Sequence, residues 1–92
     1  MEHYSFTVRL GRVLITPNAL ESVHATDIEQ AILNHSRGNW GEVCPEDAAE
    51  NNRSLTEGCR ILSAYSDRHG RKFWIITEAD RSVTTILLPE DY

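Results

Sequence analysis

Four carboxylates, Glu42, Glu46, Asp47 and Glu50, fall within nine residues of one another, beside the turn Gly38-Asn39-Trp40-Gly41 and the thiol of Cys44. Carboxylates at this density can imitate a run of phosphates or meet a basic protein surface. Aromatic anchors rimmed by charge commonly dominate such contacts, which singles out Trp40 as the accompanying residue. The same carboxylates also suit a helix start, where each contributes roughly a few tenths to one kcal/mol against the dipole. Cys44 precedes Pro45 at that start, a position that lowers a thiol's pKa and could arm a nucleophile if a histidine lay nearby.

Other side chains support weaker chemistry. Arg68, His69, Arg71 and Lys72 form a compact basic group that could contact phosphates, with Tyr65 and Trp74 at hand for stacking. The competing reading is a polar turn around Gly70. Glu78, Asp80 and Arg81 could serve acid–base work or hold an ion, but Glu78-Ala79-Asp80-Arg81-Ser82 also describes a hairpin turn. Cys44, Cys59 and the histidines at 3, 24, 35 and 69 stand at no close metal-ligand spacing, and no cofactor is expected. The Gly38–Gly41 turn lacks the lysine and hydroxyl of a nucleotide loop. No methyltransferase loop or nuclease carboxylate–lysine motif is present.

The elements that must position these groups follow from local pattern. Phe6, Val8 and Leu10 alternate before Gly11, then Val13-Leu14-Ile15 resumes, so residues 4–15 read as one strand bent at Gly11 or an irregular lead into a strand. Thr16-Pro17 caps a short helix over 18–24. Thr26-Asp27-Ile28-Glu29 is a capping box that predicts a second helix, its inner face carrying Ile28, Ala31, Ile32 and His35, with Gly38 at the exit. Pro45 opens a third helix that ends at Gly58, with Ala48, Asn52, Leu55 and Cys59 as its narrow inward stripe. The runs 60–65, 72–77 and 83–88, joined by short polar turns, form an antiparallel meander stopped by Pro89.

The predicted fold is thus a single α+β domain over residues 1–92: an N-terminal strand, two to three helices, then three antiparallel strands, with the helices on one sheet face. Phe73 and Ile75 alternate with Trp74 and Ile76, so the second face must be partly exposed, covered by termini, or buried against a partner or a second copy.

Composition bounds the function. Ninety-two residues with 40% hydrophobic and 25% charged content suit one soluble domain. No apolar run approaches the roughly 20 residues of a membrane span, and the polar start Met1-Glu2-His3-Tyr4-Ser5 is unlike a signal peptide, so a cytoplasmic protein with free thiols is expected. Fourteen acidic against nine basic residues give a charge of −5, which argues against general affinity for a nucleic-acid backbone.

The motifs GNWG (38–41), FWIITEADRS (73–82) and TTILLPEDY (84–92), with Cys44 and Arg60-Ile61-Leu62-Ser63-Ala64-Tyr65 between them, resemble a family of short bacterial proteins labelled plasmid-related. The resemblance spans most of the chain after the first strand. It implies residence on a mobile genetic element and brings no catalytic residue or cofactor with it. The combined expectation is a non-enzymatic factor that binds a larger host protein or complex, of the anti-CRISPR or anti-restriction type, through Trp40, Glu42, Glu46, Asp47 and Glu50. The alternatives are a nucleic-acid-associated regulator using Arg68, His69, Arg71 and Lys72, and a thiol enzyme at Cys44.

Overall fold

The computed structural model describes residues 7–92. In chain order the elements are β1 (Arg12–Ile15), α1 (Pro17–Ser22), α2 (Ala25–Ser36), α3 (Pro45–Glu57), β2 (Ile61–Ser66), β3 (Lys72–Thr77), β4 (Val83–Leu87) and a closing 3-10 turn, Pro89–Asp91. The four strands form one sheet in the order β1-β4-β3-β2. The meander β2-β3-β4 is antiparallel, and β1 joins β4 in parallel. The α+β class, the helix count and the meander therefore match the expectation.

Of the predicted run over 4–15, the strand occupies only Arg12–Ile15; Tyr4 and Phe6 lie outside the described residues. The lead from 7 to 11 is irregular because Gly11 takes a positive φ of 62° with its backbone pressed against Ser82. A side chain there would stand 2.2 Å from the Ser82 carbonyl oxygen, so only glycine lets the chain enter the sheet at this point. Val8, upstream, is buried against Trp40 and Ile61.

Thr16 caps α1 as its sequence predicts, accepting a hydrogen bond from the Ala19 N–H. α2 starts earlier than its capping box. His24 is the N-cap, and its Nδ1 accepts from the Thr26 N–H at 3.2 Å. The His24 N–H is held by the Asp67 carboxylate at 3.0 Å, which fixes the chain two residues ahead of Thr26. α3 runs from Pro45 to Glu57 and stops at Gly58, whose φ of 72° is the left-handed conformation of a helix exit. Its inward stripe is rotated from the expected one: Asn51 and Ser54 are buried, whereas Asn52 and Cys59 are exposed.

Along β2, β3 and β4 the core residues Ile61, Tyr65, Phe73, Ile75 and Ile86 all come from one face. That face packs against Ala19, Val23, Ile28 and Ala31 of the first two helices and the turn between them. A second cluster, Val8, Trp40 and Ile61, joins the lead segment to α3 through Val43, Ala48 and Leu55. On the opposite face Trp74 meets the ring of Tyr92 edge-on at 5.7 Å, and Arg60 lies over that ring while donating to its hydroxyl at 2.7 Å. The C-terminal residue thus covers part of the second face. Leu62, Ala64 and Thr85 remain half-buried there and Leu14 exposed.

Candidate functional site

Residues 38–52 form a ledge clamped to the outer edge of β2. The Trp40 carbonyl accepts from the Ala64 N–H at 3.1 Å, and the Glu42 N–H donates to the Ala64 carbonyl at 2.7 Å. One residue pair along, the Asn51 amide donates to the Leu62 carbonyl at 2.8 Å and its Oδ1 accepts from the Leu62 N–H at 3.2 Å. Every outward backbone group of Leu62 and Ala64 is thereby paired, so this edge cannot recruit another strand there. Gly41 makes the approach possible: its φ is 74°, and a Cβ would lie 2.1 Å from the Ala64 carbonyl oxygen.

Trp40 is a core residue, which corrects its expected role as an exposed anchor. It is 5% exposed, packs edge-on to His35 at 5.8 Å, and donates its indole N–H to Asn52 Oδ1 at 3.0 Å. The amphipathic ring is consumed where lead segment, sheet and α3 meet. The carboxylates around it stay outside. Glu42, Glu46, Asp47 and Glu50 are all exposed; Glu42 accepts from the Ser66 hydroxyl at 3.0 Å, and Glu50 pairs with Arg53. The Glu46 carboxyl is lowered by its own backbone N–H at the helix start and by the Cys44 thiol. Asp47 and Glu50 line a shallow depression with Asn51, Arg60 and Leu62, so the acidic ledge runs on toward the second sheet face.

Cys44 sits at the N-cap without making a side-chain cap. The Asp47 backbone N–H favours its thiolate, but desolvation and the carboxylates of Asp47 and Glu46 outweigh that and hold the thiol above its ordinary value. The dipole effect expected of this position is thus reversed by its own acidic neighbours. Cys44 and Cys59 are both free and exposed.

The basic hairpin is largely neutralised within the fold. Arg68 donates to Asp27 through its backbone N–H at 2.8 Å, Nε at 3.1 Å and Nη2 at 3.0 Å. Arg68's side chain and backbone hold the Asp27 carboxyl down at about 2. Arg71 pairs with Glu90 at 2.6 Å. His69 lies 6.3 Å from the ring of His24, and Lys72 is exposed. Tyr65 is buried, its hydroxyl donates to the Asn39 carbonyl, and desolvation pushes it up to about 12, so it offers no stacking surface.

Asp67, absent from the sequence-based candidates, organises this corner. It is 6% exposed and accepts from the N–H groups of His24, His69 and Arg71 at 3.0, 2.9 and 2.8 Å. Its signal was the Ser-Asp-x-His-Gly spacing, which favours an Asx turn. Arg81, read as a turn residue, has a φ of 62° and donates to the carbonyls of Ser54, Cys59 and Glu78 at 2.8, 2.7 and 3.1 Å, closing the C-terminal end of α3. Asp80 completes that turn by accepting from the Ser82 N–H and hydroxyl.

His35 is fully buried among hydroxyls. Nδ1 lies 2.6 Å from Ser63 Oγ and Nε2 lies 2.8 Å from Thr77 Oγ1, which in turn lies 2.8 Å from Thr84 Oγ1. The chain's polarity follows from its end. Thr84 donates to the Leu10 carbonyl at 2.7 Å, so Thr77 must donate to Thr84, Nε2 must carry the proton, and Ser63 donates to Nδ1. Burial, and secondarily the charge of Arg81, lower His35 from 6.5 to about 4. With both Ser63 and His35 at 0% exposure, the network is a polar tie between α2, the three strands β2, β3 and β4, and the lead segment at Leu10.

Among the described residues no group of three histidine, cysteine or acidic side chains is placed to hold a metal ion, and no helix is long and apolar enough to cross a membrane. Searches against protein-family models, curated proteins and solved structures return no match.

Proposed function

We propose that the protein is a non-enzymatic interaction factor that masks a basic surface on a larger partner. The observation that carries this reading is the acidic ledge: Glu42, Glu46, Asp47 and Glu50 are exposed on a segment whose backbone is bonded to the sheet edge at Ala64 and Leu62. Charges presented from a rigid support lose little conformational freedom on binding. They also steer a cationic partner into register. Trp40 contributes by packing beneath the ledge.

The chemistry-bearing side chains elsewhere support binding over catalysis. His35 is sealed and committed to hydroxyls, and the Cys44 thiol is raised above its ordinary value by desolvation and the carboxylates of Asp47 and Glu46. The nucleic-acid reading loses Arg68 and Arg71 to Asp27 and Glu90. The resemblance to mobile-element proteins suggests the target class, a host defence complex of the CRISPR or restriction type in the cytoplasm. Affinity capture from a host extract tests the reading, with reversal of all four carboxylates to lysine as the control. Retention of a partner by the native protein and its loss by the reversed variant is the expected result; an unchanged set of captured proteins sinks it.

A further inference from the structure

The two edges of the sheet are treated oppositely. The β2 edge is sealed at Leu62 and Ala64 by the ledge, whereas no described residue pairs with the outer side of β1. Arg12 and Thr16 donate inward to the Ser82 and Ile86 carbonyls of the β4 side, so in this parallel ladder the backbone groups of Val13 and Ile15 point outward. Val13 and Leu14, which flank these groups, are 45% and 43% exposed. An open, apolar edge strand in a protein that closes its other edge invites a strand partner.

We infer that β1 pairs antiparallel with β1 of a second copy, about a two-fold axis through Leu14. The register follows from the outward groups: Val13 of one copy exchanges hydrogen bonds with Ile15 of the other, and the reverse. Leu14 then faces Leu14 across the axis, and each Arg12 faces Thr16 of its mate. This arrangement places the exposed apolar residues against one another. It is also complementary in charge. Thr16 donates to the Asp91 carboxylate at 2.7 Å and Asn18 to the same group at 2.8 Å, so the residue opposite Arg12 carries a carboxylate at its tip. Thr16 and Arg12 share a sheet face, being four residues apart in extended chain. No carboxylate is paired with Arg12 among the described residues of its own chain. The pairing yields two Arg12–Asp91 contacts between copies and joins two four-stranded sheets into one of eight. The contact is isologous and closes on itself, so it ends at a dimer.

Sedimentation velocity across a dilution series, together with four variants, tests the pairing. Val13→Pro removes an outward N–H while leaving the Arg12 and Leu14 bonds to β4 in place, and should give a folded monomer. Arg12→Glu should weaken the dimer by at least about tenfold. In a Cys44→Ser, Cys59→Ser background, Leu14→Cys should oxidise to a covalent dimer. Its two sulfurs occupy a non-hydrogen-bonded pair with Cα atoms about 4.5 Å apart, within the range a disulfide spans. Arg12→Cys in the same background should not cross-link. A native protein that stays monomeric throughout the series overturns the inference. So does a dimer that survives Val13→Pro, or one that Leu14→Cys fails to cross-link, because either shows that a different face is paired.

Discussion

Asn51 and Leu62 are joined by two hydrogen bonds, the side-chain amide of one serving as the strand partner of the other. Asn51→Ala leaves a backbone donor and acceptor unpaired on the β2 edge and should cost roughly 1–3 kcal/mol in denaturant unfolding. Asn51→Asp keeps the acceptor but sets a buried carboxylate oxygen against the Leu62 carbonyl, so it should cost at least as much as the Ala variant. The Ala variant should also aggregate more readily, since its edge is open at that point. A midpoint indistinguishable from the native one would show that the ledge is held by other contacts.

His35 predicts a pH dependence with a definite sign. Its folded value is depressed from 6.5 to about 4, so between these limits the unfolded chain binds a proton that the folded chain refuses. Stability is therefore fully present above pH 6.5 and falls as the pH drops toward 4. At about 1.4 kcal/mol per pH unit, the loss between pH 7 and 4.5 is on the order of 2–3 kcal/mol. Unfolding curves at the two pH values measure it, and His35→Gln should flatten the difference even though it lowers stability at pH 7.

The pairing of Asp27 with Arg68 ties α2 to the β2–β3 turn. An NMR titration should place the Asp27 carboxyl near 2, and Arg68→Ala should raise it part of the way toward 3.8, since the backbone N–H at position 68 remains. The depressed value stabilises the fold above pH 3.8, and that contribution disappears as the pH falls toward 2. An Asp27 that titrates normally in the native protein would mean that the pair is open in solution.

Cys44 has N-cap backbone angles, φ −69° and ψ 161°, without a side-chain cap. Cys44→Ser supplies an acceptor for the first turn of α3 and should raise stability by about 0.5–1 kcal/mol. The native thiol, held above its ordinary value by Asp47 and Glu46, should react slowly with iodoacetamide at neutral pH, and Asp47→Asn should speed it up. Loss of stability in the serine variant would show that the thiol packs in a way a hydroxyl cannot.

The parts of this fold that were legible in the sequence are those set by neighbours along the chain. Thr16-Pro17, Pro45 and Gly58 mark helix ends through local backbone preference, and alternation in 72–77 marks a strand with the bounds observed. The parts that were not legible depend on groups far apart. His24 outcompetes Thr26 as a cap because Asp67, 43 residues on, grips its N–H. α3 turns Asn51 inward because β2 offers an edge to bond, and helical spacing alone could not separate Asn51 from Asn52. Trp40 could be placed only once His35, Asn52 and Ile61 were known to converge on it. His35 itself is defined by hydroxyls 28 and 42 residues away. The acidic group was visible from composition, but its rigid mounting was not.

The salt dependence of partner binding tests the central claim most directly. With the captured partner purified, the logarithm of Kd should rise steeply with the logarithm of salt concentration for the native protein, as expected when charge steers and holds a complex. Reversal of Glu42, Glu46, Asp47 and Glu50 to lysine should abolish binding while leaving the circular dichroism spectrum essentially unchanged, with the unfolding midpoint lowered only modestly by the lost dipole and Glu50–Arg53 interactions. Binding that is insensitive to salt and survives the reversal would contradict the account and move the interface away from the ledge.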